Sequence, residues 1–144
     1  ISNFSWLLVM VQFVLLVYIA ADSGWYPKSW GWLLLYVCGW VVALAAAYAF
    51  RHSSLSVFPE PHQKAVLLTH GIFHYIRHPF YTAVLCISGA LAGHQWAQPT
   101  TIAWCLLLLI LLIKISFEEK LLLSHFEAYQ AYQKRTKKLI PFLY

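Results

Sequence analysis

PTTIAWCLLLLILLIKISF, residues 99–117, is apolar at nearly every position, and EEKLLLSHFEAYQAYQKRT, residues 118–136, follows it without a glycine or proline to interrupt it. The first stretch has the length that a bilayer core asks of a helix, about 20 residues. It carries one charge, Lys114, near its end, and it stops at two adjacent carboxylates, Glu118 and Glu119. The second stretch keeps a helical rhythm while turning amphipathic, as far as about Arg135. The reading of these residues decides the fold: a membrane helix that runs on into a polar segment at the membrane surface.

The rest of the chain agrees. Of its 144 residues 61% are hydrophobic and 10% charged, against about 25% charged in ordinary soluble domains. Phe4 to Ala21 and Trp30 to Phe50 are two further apolar windows of spanning length. Pro79 to Gly93 is a third that looks short for a span. The expected architecture is all-α: a polytopic membrane protein with four transmembrane helices and a C-terminal amphipathic cytoplasmic helix. Residues 1–50 would form the first two membrane helices with an outer aromatic loop, Gly24 to Trp30. Residues 51–144 would hold a cytoplasmic connector, two membrane helices and the C-terminal helix. The connector, Arg51 to Leu68, contains Pro59 and Pro61 and reads as irregular. The first window is expected to be a retained helix rather than a cleaved leader, since Ile1, Ser2 and Asn3 carry no positive charge.

Basic residues orient the chain. With both termini cytoplasmic, the inner segments hold Arg51, Lys64, Arg77, Lys114, Lys120, Lys134, Arg135, Lys137 and Lys138, and the outer loops hold only Lys28. The net charge of +5 then expresses topology and attraction to anionic lipid. Nucleic acid is not an expected partner, because no basic patch is interleaved with aromatics for base stacking. Cys38, Cys86 and Cys105 fall in membrane windows without close spacing and read as packing residues.

Chemistry-bearing residues gather in two places. HGIFHYIRHPFYTA, residues 70–83, sets His70, His74, His78 and Arg77 at the start of the short third window. Pro79 suits the first turn of a helix and disfavours helix at His78. The N–H groups near Phe80, Tyr81 and Thr82 would then face an anion such as a carboxylate. Three readings are open: a basic hem that marks the cytoplasmic face, a metal site from histidines four apart, or a cofactor cradle. The metal reading is weakened by Gly71 and Pro79, which bracket the segment, and no metal ligands are assigned. The second place is the amphipathic stretch. At about 100° per residue, Glu118, Leu122, His125, Tyr129 and Tyr132 share one stripe, Glu119 is displaced by one step, and Glu127 lies opposite.

GIFHYIRHPFY followed by EEKLLLSHFEAYQAYQKRTKKLIP resembles the integral-membrane methyltransferases of the isoprenylcysteine carboxyl methyltransferase and phospholipid methyltransferase group. That group shows Gly-Pro-Tyr-x-x-Val-Arg-His-Pro-x-Tyr, then Glu-Glu-x-x-Leu, Tyr-x-x-Tyr and a late Ile-Pro. The resemblance covers roughly residues 66–141. It implies S-adenosyl-L-methionine as methyl donor, with Gly71, Tyr75, Arg77, His78, Pro79, Tyr81 and Tyr129 on the cofactor and Glu118, Glu119, Tyr132 and Arg135 in catalysis. It also implies the lipid bilayer as surroundings and a lipophilic or small-molecule acceptor. Departures are Ile72 and Phe73 for Pro-Tyr, Ile76 for Val, and no glycine after Phe126. A non-enzymatic membrane subunit or carrier and a histidine-ligated metalloenzyme are the competing functions. No Gly-x-Gly-x-x-Gly follows a strand, so the helices themselves would have to hold an adenosyl cofactor.

Overall fold

The computed structural model describes residues 3–51, 69–141 and 143–144. It contains α1 (Asn3–Ser23), α2 (Trp30–Phe50), a 3-10 turn (Gly71–His74), α3 (Pro79–Gln95), α4 (Gln98–His125) and α5 (Tyr129–Arg135). Apart from Arg51, the expected connector and its Pro59, Pro61 and Lys64 lie outside the described residues.

Among the described residues, α1, α2 and α4 are long and apolar enough to cross a membrane. α3 has 17 residues, about 25 Å at 1.5 Å per residue, somewhat less than a hydrocarbon core of about 30 Å. It nevertheless occupies the middle, packing against α1, α2 and α4. Its neighbours alternate in direction. At one end Phe4 meets Phe117 at 5.7 Å and Phe50 meets Phe80 at 5.6 Å, both edge to face. At the other end the Thr100 hydroxyl donates to the Asp22 carboxylate, and the His94 ring is 3.1 Å from the Ser23 carbonyl. The start of α1, the end of α2, the start of α3 and the later part of α4 therefore share one end of the bundle.

Small residues make the central packing possible. A Cβ on Gly39 would fall 2.7 Å from Ile87 and 3.1 Å from the Ile87 backbone nitrogen, so α2 lies closer to α3 than a larger residue would allow. The core between α1, α3 and α4 is built from Ile19, Leu91, Ala92, Ala103, Leu107 and Leu111. Phe13, Val14, Val17, Leu34, Val41 and Leu44 face outward instead. Apolar side chains on the outside are the pattern of helices whose solvent is lipid. Trp25, in the α1–α2 loop, and Trp30, which opens α2, are exposed, as in an interfacial aromatic belt, and the Tyr36 hydroxyl donates to the Trp25 carbonyl at 2.7 Å.

The C-terminal part differs from the expected single amphipathic helix. α4 runs unbroken through Glu118 and Glu119 to His125, but Phe126 adopts extended backbone (φ −117, ψ 119) and the chain turns before α5. No glycine or proline marks the break. Contacts made by the following residues decide it: Tyr132 and Thr136 are buried against other elements, which a straight continuation of α4 could not reach. α5 has 7 residues, too short to be stable without that packing.

Candidate functional site

The site forms at the shared end, where the turn before α3 meets the later part of α4 and the C-terminal tail. Gly71 opens the approach. Its φ of +61 and a Cβ position 3.3 Å from Ala49 favour glycine twice over, for conformation and for space. The 3-10 turn that follows presents the Phe73 carbonyl, which accepts the Tyr132 hydroxyl at 2.6 Å. Pro79 then starts α3, with His78 as its N-cap. The N–H groups of Tyr81 and Thr82 both turn back to the His78 carbonyl at 3.1 Å, so these two are not directed at an external anion as expected.

Backbone pairing draws the tail onto this turn. Arg77 N–H donates to the Lys137 carbonyl at 2.8 Å, His78 N–H to the Lys138 carbonyl at 3.1 Å, and Lys137 N–H to the Tyr75 carbonyl at 3.1 Å. The Thr82 hydroxyl adds a bond to the Leu139 carbonyl at 2.7 Å. The Arg-His-Pro turn and the tail are thus one parallel pairing, centred on Ile76 and Lys137, with buried Ile76 and Leu139 beneath it.

Arg77 ties three elements together. Its Nε donates to Glu119 Oε1 at 2.7 Å. Its Nη1 donates to the carbonyls of Gln133 at 3.0 Å and Thr136 at 2.8 Å, carbonyls at the α5 C-terminus that have no partner within the helix. The guanidinium therefore caps α5 and pairs with Glu119 of α4 at once. Both side chains of the ion pair are nearly covered, 8% and 10% exposed, and Gln133 Nε2 donates to the second Glu119 oxygen at 3.3 Å.

His78 lies between the two carboxylates, with Nε2 3.1 Å from Glu119 Oε1 and Nδ1 3.6 Å from Glu118 Oε2. A neutral imidazole can donate to one of them and a protonated one to both. Tyr81 stacks on the His78 ring, centroids 5.7 Å apart and planes 10° from parallel, and its hydroxyl donates to Glu118. Beside this cluster lie the buried Tyr129 and Tyr132 rings, 5.7 Å apart. Burial first, and then the Glu119 carboxylate, push the Tyr129 phenol well above the usual tyrosine range, against the pull of Arg77. Burial likewise raises Tyr132, opposed by Arg77 and Arg135. Both remain neutral phenols at ordinary pH.

The structure gathers Arg77, His78, Tyr81, Glu118, Glu119, Tyr129 and Tyr132 from the expected set, with Gly71 and Pro79 shaping the backbone. Tyr75 contributes its carbonyl to the pairing, while its ring is 55% exposed and lies edge-on to His74 at 4.9 Å. Arg135 is exposed at the rim, its guanidinium 5.8 Å from the Tyr132 ring centre. The single stripe is broken at Phe126. His125 and Glu127 are exposed, and Glu119, one step off the stripe, makes more polar contacts than Glu118. His70 and His74 are also exposed while His78 is buried, since a 3-10 turn and extended backbone do not keep residues four apart on one face. Among the described residues no three His, Cys, Asp or Glu side chains are grouped to hold a metal ion.

Gln133 and Thr136 belong to the site without having been singled out. Arg77 takes their main-chain carbonyls, which carry no sequence signal, and the Gln133 amide and Thr136 hydroxyl come within reach only because the chain turns at Phe126. Lys114 and Gln12 did have one, each being a polar residue within an apolar span.

The Tyr129 hydroxyl is buried without a hydrogen-bond partner among the described residues. An orphaned buried hydroxyl is unfavourable by about 1–3 kcal/mol unless a ligand takes its bond. Next to it are carboxylates and aromatic faces, the groups that complement a sulfonium and an ammonium. The residues fit an adenosyl cofactor. A family model described as phospholipid methyltransferase matches residues 27–129. Neither the curated proteins nor the solved structures contain a match.

Proposed function

The chain belongs to the phospholipid methyltransferase family, and on that premise we propose that it transfers the methyl group of S-adenosyl-L-methionine to a lipophilic or small acceptor at the cytoplasmic membrane interface. The observation that carries the proposal is the Arg77–Glu119–His78–Glu118–Tyr81 cluster, closed over by the C-terminal tail and flanked by the unpartnered Tyr129 hydroxyl. In this reading the chain crosses the bilayer four times, α3 included, with both termini on the cytoplasmic side where the basic residues collect.

When bound, the cofactor supplies an electrophilic methyl group on a sulfonium. The residues have less to do chemically than spatially, since displacement at such a methyl depends on alignment and on fixed charge more than on strong acid–base help. Glu118 and Glu119 provide negative charge for the cationic parts of the cofactor. Tyr129 offers its free hydroxyl, and the Tyr129 and Tyr132 rings supply apolar and π surface. Arg77 holds Glu119 and the end of α5, so the wall made by the tail stays closed to water. Acceptor chemistry divides by residue. A lipid carboxylate, as in an isoprenylcysteine carboxyl methyltransferase-like reaction, would be held by Arg135 at the rim, because Arg77 is already engaged. An amine or thiol would pass its proton to Glu118.

The test is methyl transfer from labelled S-adenosyl-L-methionine by the full chain reconstituted in vesicles, with phosphatidylethanolamine and a prenylcysteine lipid as separate acceptors. Label in either lipid that requires Glu119 is the expected result. A folded protein that binds no S-adenosylhomocysteine and labels no acceptor overturns the reading.

A further inference from the structure

Lys114 and Gln12 sit in the apolar part of two membrane-length helices. An ammonium group within such a helix is unfavourable and calls for a function. Lys114 is 4% exposed and Gln12 9%, and the Lys114 Nζ donates to Gln12 Oε1 at 2.7 Å. The ammonium also lies 4.9 Å from the centre of the Tyr81 ring. Tyr81 is the residue whose hydroxyl holds Glu118 and whose ring stacks on His78. Lys114 and Glu118, four apart on α4, project from one face of that helix.

We infer that Lys114, oriented by Gln12, is a positioning residue of the cofactor site, so that α1 takes part in ligand binding although it lies outside the matched residues 27–129. This rests on the function proposed above. A cation over a ring face fixes the ring plane, and that plane decides where the Tyr81 hydroxyl, and with it Glu118, can point. The same cation offsets one of two carboxylates crowded around a single histidine, in surroundings where Coulomb interactions are far stronger than in water. Arg77 serves Glu119 in this way, and Lys114 serves Glu118. Gln12 accepts from the ammonium and keeps it over the ring. A simpler role, in which the pair only pins α1 to α4 as polar groups between membrane helices do, makes a different prediction: stability would fall while ligand affinity stayed the same.

The experiment measures S-adenosylhomocysteine affinity by calorimetry and thermal unfolding in parallel, on the full chain in lipid nanodiscs. Lys114→Met is expected to weaken binding about tenfold or more, and Gln12→Leu by a smaller factor. Lys114→Arg, which keeps the cation, should stay within about threefold of the parent. The double variant Gln12→Leu/Lys114→Met should bind no more weakly than Lys114→Met alone, because both changes act through one group. Lys120→Met, at an exposed position elsewhere on α4, is the neutral control. Lower melting temperature with unchanged affinity in Lys114→Met overturns the inference. Should that variant fail to fold, unchanged affinity in folded Gln12→Leu does the same. If the parent protein binds no S-adenosylhomocysteine, the proposed function falls first and this inference with it; if the parent binds and the variants match it, only the inference falls.

Discussion

Glu118 and Glu119 are neighbours in sequence with different surroundings. Glu119 has a guanidinium, an imidazole and a glutamine amide around it, whereas Glu118 takes a phenol and the far side of the same imidazole. Glu119→Gln should therefore do two things. It leaves Arg77 buried beside a neutral amide, destabilising the fold by about 3 kcal/mol, and it should lower methyl transfer on the order of a hundredfold. Glu118→Gln should lower transfer about tenfold or more, with a smaller fall in melting temperature, since Lys114 keeps its bond to Gln12. Glu127→Gln, at an exposed position, should be silent in both assays. Radiolabel transfer and thermal unfolding measured side by side check this. Equal melting temperatures for Glu118→Gln and Glu119→Gln would show that Arg77 does not depend on its carboxylate. Glu127 is exposed, but a helical phase counted from Glu118 does not run across the break at Phe126, and Glu119, one step off the stripe, still meets an arginine that arrives from another segment.

At the level of elements, the tail matters as much as the helices. Its pairing with residues 75–78 uses three main-chain hydrogen bonds and fixes the tail against the turn that carries Arg77 and His78. A chain ending after Thr136 keeps α1 to α5 but loses that pairing. We expect such a truncation to insert and to retain its helical circular dichroism while losing S-adenosylhomocysteine binding by about tenfold or more. Full affinity in the truncated chain would make the tail a bystander. The break at Phe126 belongs to the same scale. Residues 118–136 read as one amphipathic helix because helical periodicity continues across Phe126. Periodicity records which residues want burial, and it is silent about whether one straight axis can bury them all. Tyr132 reaches the Phe73 carbonyl, and Arg77 reaches the end of α5, only if the axis turns.

For the whole molecule, α3 is the helix against which α1, α2 and α4 all pack. α2 approaches it at Gly39 closely enough that any Cβ must displace Ile87 or its backbone. Gly39→Leu should destabilise the bundle by about 1–3 kcal/mol, seen as a lower melting temperature in detergent. Gly31→Leu, with nothing within 4 Å of its Cβ position, should not. A Gly39→Leu protein as stable as the parent would mean that α2 and α3 do not need this close approach.

The apolar windows, their approximate ends and the all-helical class follow from sequence by itself, because in lipid a helix must satisfy its own backbone and an uninterrupted apolar run leaves few alternatives. The Arg-His-Pro turn and the Glu-Glu pair were legible too, since polar residues beside such runs stand out. The tertiary structure alone decided that the tail pairs with the turn, that α5 breaks from α4, that Gln133 and Thr136 serve Arg77 through main-chain carbonyls, and that Gln12 of the first helix reaches Lys114 of the fourth. All of these are contacts between residues distant in the chain. Their energy depends on distances and angles between elements, and neither periodicity nor spacing along one element carries that information.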